Sequence, residues 1–530
     1  MPVFNFVRAS FYRDSVTLMR LARDMEAVAG VTAAAAMMGT PHNRALLDQA
    51  GLLAAEGAGA QPADLIIAVA ADSAAAADAA RAAAERALLA PRATAAVGSS
   101  GAAPRTLAAA TKILPDANLA LISVPGAYAG AEALKALRAG LHVMLFSDNV
   151  PVETEIECKR VALERGLLML GPDCGTAILD GVPLGFANAV PRGPIGLAAA
   201  SGTGLQEVTC TIAREGDGIS QAIGVGGRDL ADDVGGLMML RALELLAADV
   251  DTRVVCVIGK PPGAGVARRL ADALAKLAKP CVACFPWFAV GAPSQGLRRP
   301  TVGPTELGGC PTVGPNELGG RGVHVAATLE DAGRAAVALA RGKTPIATEF
   351  TLPAADVTRL VADAARGLAP DQRYVRGVYS GGTLAYEALG LLAQSLGDVA
   401  PSLTTGGPGH AVVDLGEDVF TLGRPHPMID GRVRREWIDK EGRDAGTAVL
   451  LLDVVLGYGA HRDPAGEILP AIRAVRERRP LAVVASVCGT DADPQSRTAQ
   501  VDGLRRANVI IMESNAQAAR LAAAIARRAR

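Results

Sequence analysis

The sequence predicts an α/β protein built from several doubly wound domains, on three observations. Apolar runs of strand length alternate with helical patterns along most of the chain. Runs such as 119–124, broken only by Ser123, and 254–258 are apolar, as expected of a parallel sheet covered on both faces. Two strands, 195–200 and 375–379, run directly into glycine loops that open helices: Ser201-Gly202-Thr203-Gly204 and Ser380-Gly381-Gly382-Thr383.

Taken in order, residues 1–95 form a small α/β domain with strands at 3–7, 31–38 and 65–69, a helix at 15–27 and an alanine-rich helix after the last strand. Thr40-Pro41 is a helix start, Thr as cap and Pro in the first turn, which makes His42 an exposed first-turn residue or, alternatively, an anion contact. An Ala-, Gly- and Ser-rich stretch near 92–104 reads as a linker. From 117 the pattern is strand 119–124, helix 131–139, strand 142–147, helix 153–165 and strand 167–170. A second unit begins at 194 and continues through strands at 221–226, 254–258 and 281–285; a third begins at 376, with strands at 448–456, 481–487 and 509–512. Ligands of such sheets bind at the carboxyl ends of the strands, where the glycine loops stand. Pro300 to Cys310 is repeated at once as Pro311 to Arg321, and this Gly- and Pro-rich stretch without apolar periodicity reads as a surface loop.

A chain of 530 residues has room for three or four domains. Its formal charge of −1, evenly mixed, argues against a nucleic-acid or polyanion surface. Its apolar runs are too short and too interrupted for a membrane span. The first residues lack the order of a signal peptide, so the expected location is the cytoplasm. The 8 cysteines are scattered through apolar surroundings, as reduced core thiols are. Cys281 and Cys284 form the one C-x-x-C, with no second cysteine or histidine pair near it, so no metal is expected.

Each glycine loop leaves backbone N–H groups and the positive end of a helix facing outward, a ready place for phosphate or carboxylate. A carboxylate follows about one turn inside each helix, Glu207 and Glu387. One such loop is equally a cap and a tight turn; two at equivalent places point to a duplicated anion-binding module.

Ala120 to Pro125, Gly171 to Thr176, Ser201 to Glu207 and Gly224-Val225-Gly226-Gly227 resemble, in order, the α-subunit of succinyl-CoA synthetase. Residues 374–530 resemble the ligase-type domain of its β-subunit, with Val454 to Gly459 at the Gly-rich loop. Over essentially the whole chain the closer resemblance is to FdrA proteins, through Met37 to Pro41, Gly226 to Leu230, Gly423 to Asp430 and Gly489 to Pro494. The resemblance implies an N-terminal α/β domain at 1–95, a Rossmann-like CoA-binding-type domain at 104–191, flavodoxin-like ligase-CoA-type domains at 192–345 and 374–530, and a linker at 346–373.

The departures are informative. The synthetase carries phosphate on a histidine after the last strand of its first ligase domain; here 286–322 holds no histidine, and His324 begins the next strand. Where the synthetase has a glutamate to orient that histidine, this chain has Lys260, which attracts a dianion directly. There is no room for an ATP-grasp domain, and no Thr-Gly-x-x-Gly loop for CoA in the first hundred residues.

FdrA proteins are linked to oxamate carbamoyltransferase in allantoin breakdown, acting with other subunits. The resemblance thus implies phosphorolysis of oxalurate to oxamate and carbamoyl phosphate, without a phosphohistidine. Phosphate is then the co-substrate, CoA stays a candidate ligand, and the partners are other carbamoyltransferase subunits in a hetero-oligomer, with a homodimer also allowed. Two anions would lie side by side on Ser201, Gly202, Thr203 and Gly204 and on Ser380, Gly381, Gly382 and Thr383, with Gly226 and Gly227 nearby. Lys260, Arg228 and Arg424 would supply charge, although each taken singly also reads as a solvated surface group. His426, between Pro425 and Pro427, is the acid–base candidate, or a packed loop histidine. Cys174 near a helix start is a candidate nucleophile or a slot filler, and Asp453 and Asp493 at strand ends could bind a partner or metal but supply no ligand set. The alternatives are a succinyl-CoA synthetase-like acyl-CoA ligase, or a CoA-binding subunit whose chemistry lies in its partners.

Overall fold

The computed structural model describes residues 2–11, 13, 15–89, 104–286, 322–400, 409–421 and 425–529. The chain divides into two compact units, one of residues 1–106 with 421–425 and one of the remainder.

The first unit runs β1 (Val3–Arg8), α1 (Ser15–Glu26), β2 (Val31–Met38), α2 (Pro41–Gln49), α3 (Ala55–Ala58), β3 (Leu65–Ala71), α4 (Ala74–Leu89). Its sheet has the order β1-β3-β2 and is antiparallel throughout. The central strand β3 is buried along its whole length and splits its side chains by the two-residue period of a strand. Leu65, Ile67 and Val69 join the core made with α1 and α4, whereas Ile66 and Ala68 join a smaller one with Leu47 of α2. Thr40 caps α2 by accepting from the Asn43 N–H, with Pro41 in the first turn, as the sequence predicts.

The second unit opens with α5 (Leu107–Ile113), β4 (Leu119–Ile122), α6 (Gly126–Arg138), β5 (His142–Leu145), α7 (Val152–Glu164) and β6 (Met169–Leu170), the strands forming a parallel sheet β4-β5-β6. Helix α6 starts five residues before the expected position. Gly126 and Gly130 look like breakers but serve packing: a Cβ on Gly130 would stand 2.2 Å from Thr154 Cγ2 on α7.

Next come β7 (Thr176–Leu179) and β8 (Val182–Gly185), a hairpin absent from the sequence reading, turned by Asp180 and Gly181 at φ 49° and 81°. It flanks a sheet made of β9 (Arg192–Ala200), β10 (Ile219–Gly224), β11 (Val254–Gly259), β12 (Cys281–Cys284) and β13 (Val323–Ala326), in the order β13-β12-β11-β9-β10-β7-β8. Its helices are α8 (Gly202–Arg214), α9 (Leu237–Ala248), α10 (Ala264–Ala275) and α11 (Leu329–Ala340). The stretch 346–373, read as a linker, holds helix α12 (Ala354–Ala365).

The last sheet, β15-β14-β16-β17-β18, is parallel. Its elements are β14 (Tyr374–Tyr379), α13 (Gly382–Leu396), β15 (Ala411–Asp414), α14 (Asp418–Thr421), α15 (Arg432–Arg443), β16 (Thr447–Val455), α16 (Pro464–Arg478), β17 (Ala482–Cys488), α17 (Arg497–Arg506), β18 (Ile510–Met512) and α18 (Asn515–Arg528). Counting strands in chain order from β9 and from β14, both sheets read 2-1-3-4-5, so each glycine loop leaves strand 1 at the switch point between strands 1 and 3. Leu205, Val208 and Ile212 of α8, Leu329 and Ala336 of α11, Leu384, Ala388 and Leu392 of α13 and Leu521 and Ile525 of α18 belong to one hydrophobic cluster. The two flavodoxin-like halves therefore share a core.

Candidate functional site

The shared core sets the two glycine loops against each other. Ser201 and Thr383 hydroxyls are 2.6 Å apart, and the Thr383 N–H reaches Thr203 Oγ1 at 3.4 Å. Gly381 permits the approach, since a Cβ there would stand 3.0 Å from Thr203 Cγ2. The N-termini of α8 and α13 thus meet at one place, bringing together the residues of both predicted loops.

The loops are not equivalent there. In the first, Ser201 caps α8 by accepting from the Gly204 N–H at 2.9 Å, while Gly202 is exposed and Thr203 half-buried. In the second, α13 has no side-chain cap of its own. Asp453, fully buried at the end of β16, fills the cradle, accepting from Ser380 N at 2.9 Å, Gly381 N at 2.8 Å and Ser380 Oγ at 3.1 Å. Arg434 matches this carboxylate at 3.0 Å. Sequence reasoning noted Asp453 at a strand end but missed that it is the internal anion of the second loop.

Around the mouth, Lys260 at the end of β11 lies 3.9 Å from Glu417, and both remain partly exposed. Beneath them is Asp414 at the end of β15, a residue the sequence reading passed over. Its Oδ1 accepts from Gly416 N at 2.9 Å, and a Cβ on Gly382 would stand 2.6 Å from its Oδ2. Burial pushes the Asp414 carboxyl up to about 7, Glu417 and Asp453 adding to the shift while Lys260 draws it back. His426 is near: its Nε2 and Asp414 Oδ1 stand 2.9 and 3.1 Å from the point where a Gly416 Cβ would be. His426 Nδ1 accepts from Met428 N, which leaves the proton on Nε2, and burial pushes the imidazole down to about 4. At neutral pH it is a neutral hydrogen-bond donor and a poor base. Arg424, the other cationic candidate, lies outside the described residues, as do 287–321 and with them the tandem repeat.

Residues 378–525 match the CoA-ligase family, residues 193–287 the CoA binding domain family, and residues 1–104 the family described as AllF, heavy metal-associated domain. YahF of Escherichia coli (strain K12) is 37% identical over 98% of this chain and 98% of its own length. The chain belongs to the YahF family. Subunit SauD of the ADP-forming sulfoacetate-CoA ligase of Bilophila wadsworthia is 31% identical over 28% of this chain and 51% of its own length. The mitochondrial α-2 subunit of an ADP-forming succinate–CoA ligase of Trichomonas vaginalis is 32% identical over 28% of this chain and 48% of its own length. The family is thus related to succinate–CoA ligases through CoA-binding and ligase-CoA domains in an α/β fold. The CoA binding domain match falls on the stretch read from sequence as the first ligase-CoA-type domain.

The residues present fit an anion at the first loop rather than at the second, where Asp453 already holds the Ser380 and Gly381 N–H groups and Thr203 accepts that of Thr383. Thr176 Oγ1, buried without a hydrogen-bond partner among the described residues, stands 3.4 Å from the Cβ position of Gly202 at the start of α8, as an unused donor beside the free end of that helix would. A phosphate of CoA or of an acyl phosphate fits that side. A heavy metal does not fit the first unit: none of the 8 cysteines lies in 1–104, and His42 is its one histidine. Among the described residues no group of three His, Cys, Asp or Glu is placed to hold a metal ion.

Of the other predicted residues, Gly227 is exposed, with nothing closer than Asp173 Oδ2 at 3.8 Å from its Cβ position. Gly226, at φ 90°, lies against Pro172 O, 2.6 Å from where its Cβ would be, and closes the 224–229 loop onto 171–174. Arg228 pairs with Glu155 at 2.9 Å and donates to Val150 O, while fully buried Lys159 bridges Glu155 and Asp229 at 2.8 and 2.7 Å. Cys174 is buried, its thiol directed at Thr176 O and Gly224 O and pushed by burial up to about 12, so it fills a slot and offers no thiolate. Asp493 holds the seam between the halves, accepting from Ala189 N at 2.7 Å and Asn188 Nδ2 at 2.8 Å. Among the described residues no helix is long and apolar enough to cross a membrane.

Proposed function

We propose that the chain is an acyl-CoA-ligase-type subunit that transfers an acyl group between phosphate and CoA, with the nucleotide-driven step left to a partner subunit. The observation that carries this is the 2.6 Å contact between Ser201 and Thr383, which joins two helix N-termini with Lys260 at the rim. Such a place suits an acyl phosphate: N–H dipoles and an ammonium favour the dianion and the oxyanion that develops at the acyl carbon. The CoA binding domain match over 193–287 and the kinship with CoA ligase subunits support CoA as the other substrate.

A second reading uses the same geometry for phosphate-dependent oxamate carbamoyl transfer, oxalurate and phosphate giving oxamate and carbamoyl phosphate in allantoin catabolism. The observation in its favour is the absence of histidine from 286–322, since this transfer needs no phosphohistidine.

The test is an assay of the full chain, alone and with its partner subunits, for thioester formation from acetyl phosphate and CoA and for phosphate-dependent release of oxamate from oxalurate. Thioester is expected, with a loss of about 10²-fold or more in the Ser201→Ala, Lys260→Ala double variant. Oxamate release without thioester moves the assignment to the second reading. Either activity unchanged by the double variant removes the site.

A further inference from the structure

We propose that Asp414 is the acid–base group of this site, a carboxyl held against the N-terminus of α13 that accepts the proton of the attacking nucleophile and returns it once the transfer is complete. The inference rests on the acyl-transfer reading of the same site.

Its placement carries the argument. Asp414 pairs in register with Tyr379, the residue that leads into the second glycine loop, so the parallel sheet sets its side chain beside the start of α13. Oδ1 is used by Gly416 N, and Oδ2 points to the space left by the missing side chain of Gly382, which is itself half-exposed at the mouth. The carboxyl is 2% exposed and, among the described residues, has no salt-bridge partner. Its neighbour Asp453 differs: it is bound by three donors of the loop and by Arg434. Two carboxyls on the strands that flank β14 thus differ, one engaged by the loop and an arginine, one with an oxygen turned to the mouth.

The groups facing Asp414 fit that role. Glu417 on its own loop and Asp453 on β16 hold its proton on, Lys260 from β11 draws it off, and the balance with burial leaves it near 7. His426, the acid–base candidate from sequence beside its reading as a packed loop histidine, suits the role less well, its basicity depressed by burial and its Nδ1 bonded to Met428 N. In the reaction with CoA the sulfur–carbon bond forms as the thiol proton passes to the Asp414 carboxylate. The bond from the acyl carbon to the phosphate oxygen breaks, the electron pair leaves on that oxygen, and Asp414 returns the proton to it, so that phosphate departs as the hydrogen phosphate dianion.

The experiment compares wild type, Asp414→Asn and Asp414→Glu, each as the full chain with whatever partner wild type requires. Rates of thioester formation from acetyl phosphate and CoA are followed against pH, and phosphate binding is measured by calorimetry. Expected are a wild-type kcat/KM profile with an ionisation near 7, a loss of about 10²- to 10⁴-fold in kcat for Asp414→Asn with that ionisation gone and phosphate affinity kept, and partial recovery in Asp414→Glu. A variant that keeps the wild-type rate and profile overturns the role of Asp414 and leaves the acyl-transfer reading standing. Should wild type turn over no acyl phosphate, the reading itself falls. Infrared difference spectra then still decide on Asp414: Glu387 titrates in the same range in both proteins, so the spectrum of wild type minus Asp414→Asn is expected to keep a carboxylic-acid carbonyl band lost as pH passes about 7, and no such band in that subtraction overturns the proposal.

Discussion

Glu207 and Glu387 occupy the same position in α8 and α13, and both are buried where the two helices pack. Burial pushes Glu387 up to about 7, against the pull of the Leu329 N–H and the Asn515 amide. Its folded pKa lies above the ordinary carboxylate value near 4.3, so the stability it contributes is fully present below that value and lost as pH rises through about 7. We expect the unfolding free energy in urea to lose about 2 to 3 kcal/mol at this group between about pH 5 and pH 8, and Glu387→Gln to flatten the loss. Asp414 acts in the same sense and His426, with its depressed pKa, in the opposite one; both are present in wild type and variant alike, so the difference between the two curves isolates Glu387. The sequence shows both glutamates and their spacing from the loops. It does not show Leu329 or Asn515 beside one of them, because those contacts exist only after the halves pack. Asp414 was missed for the same reason, its character coming from Gly382, Glu417 and Lys260 rather than from its place in a four-residue strand.

At the level of elements, the strand–glycine–helix units are legible because their chemistry is local: an apolar strand, a cap and a glycine that lets backbone approach. Elements without such a local signature were lost. The β7–β8 hairpin is two strands of four residues, and its one available signal was Asp180-Gly181. Helix α12 was hidden between segments of irregular chain, yet it packs Val357 and Leu360 on the common core. The Gly-rich loop at 457–459 shows what a glycine does once the partner element is known. Gly457 has φ 134°, and a Cβ on it would stand 2.1 Å from Phe186 O, a backbone atom that cannot yield. Gly457→Ala should therefore cost about 2 to 4 kcal/mol in thermal or urea unfolding. Gly140→Ala, at φ 84° but with nothing within 4 Å, should cost about 1 to 2 kcal/mol through backbone strain alone. Equal costs at the two positions would mean that the loop at 457–459 is not seated on 186–187.

On the scale of the whole second unit, the seam between the flavodoxin-like halves is what makes a site at all. Ser201 and Lys260 come from one half; Thr383, Asp414 and Asp453 come from the other. Polar bonds lock the register: Gln206 Nε2 and Asn188 Nδ2 both donate to Leu456 O, at 2.9 and 3.0 Å, Thr490 Oγ1 donates to Ala189 O at 2.7 Å, and Gln517 Nε2 donates to Glu330 Oε1 at 2.7 Å. Beneath them the apolar faces of α8, α11, α13 and α18 have no water-facing alternative, since each buried Leu or Ile is worth about 1.5 to 3 kcal/mol and a domain's net stability is only about 5 to 15 kcal/mol. Removing one half exposes several such residues on the other, more than its remaining stability can offset. Residues 107–345 and 346–530 made as separate chains should each lack a cooperative unfolding transition and bind the dye ANS, whereas co-expression should return a complex that unfolds in one step. Two independent cooperative transitions would mean the halves are separate domains in contact. The donors of the site would then meet only when something else brings the halves together, and the Ser201–Thr383 contact would be a consequence of closure rather than a fixed feature of the fold.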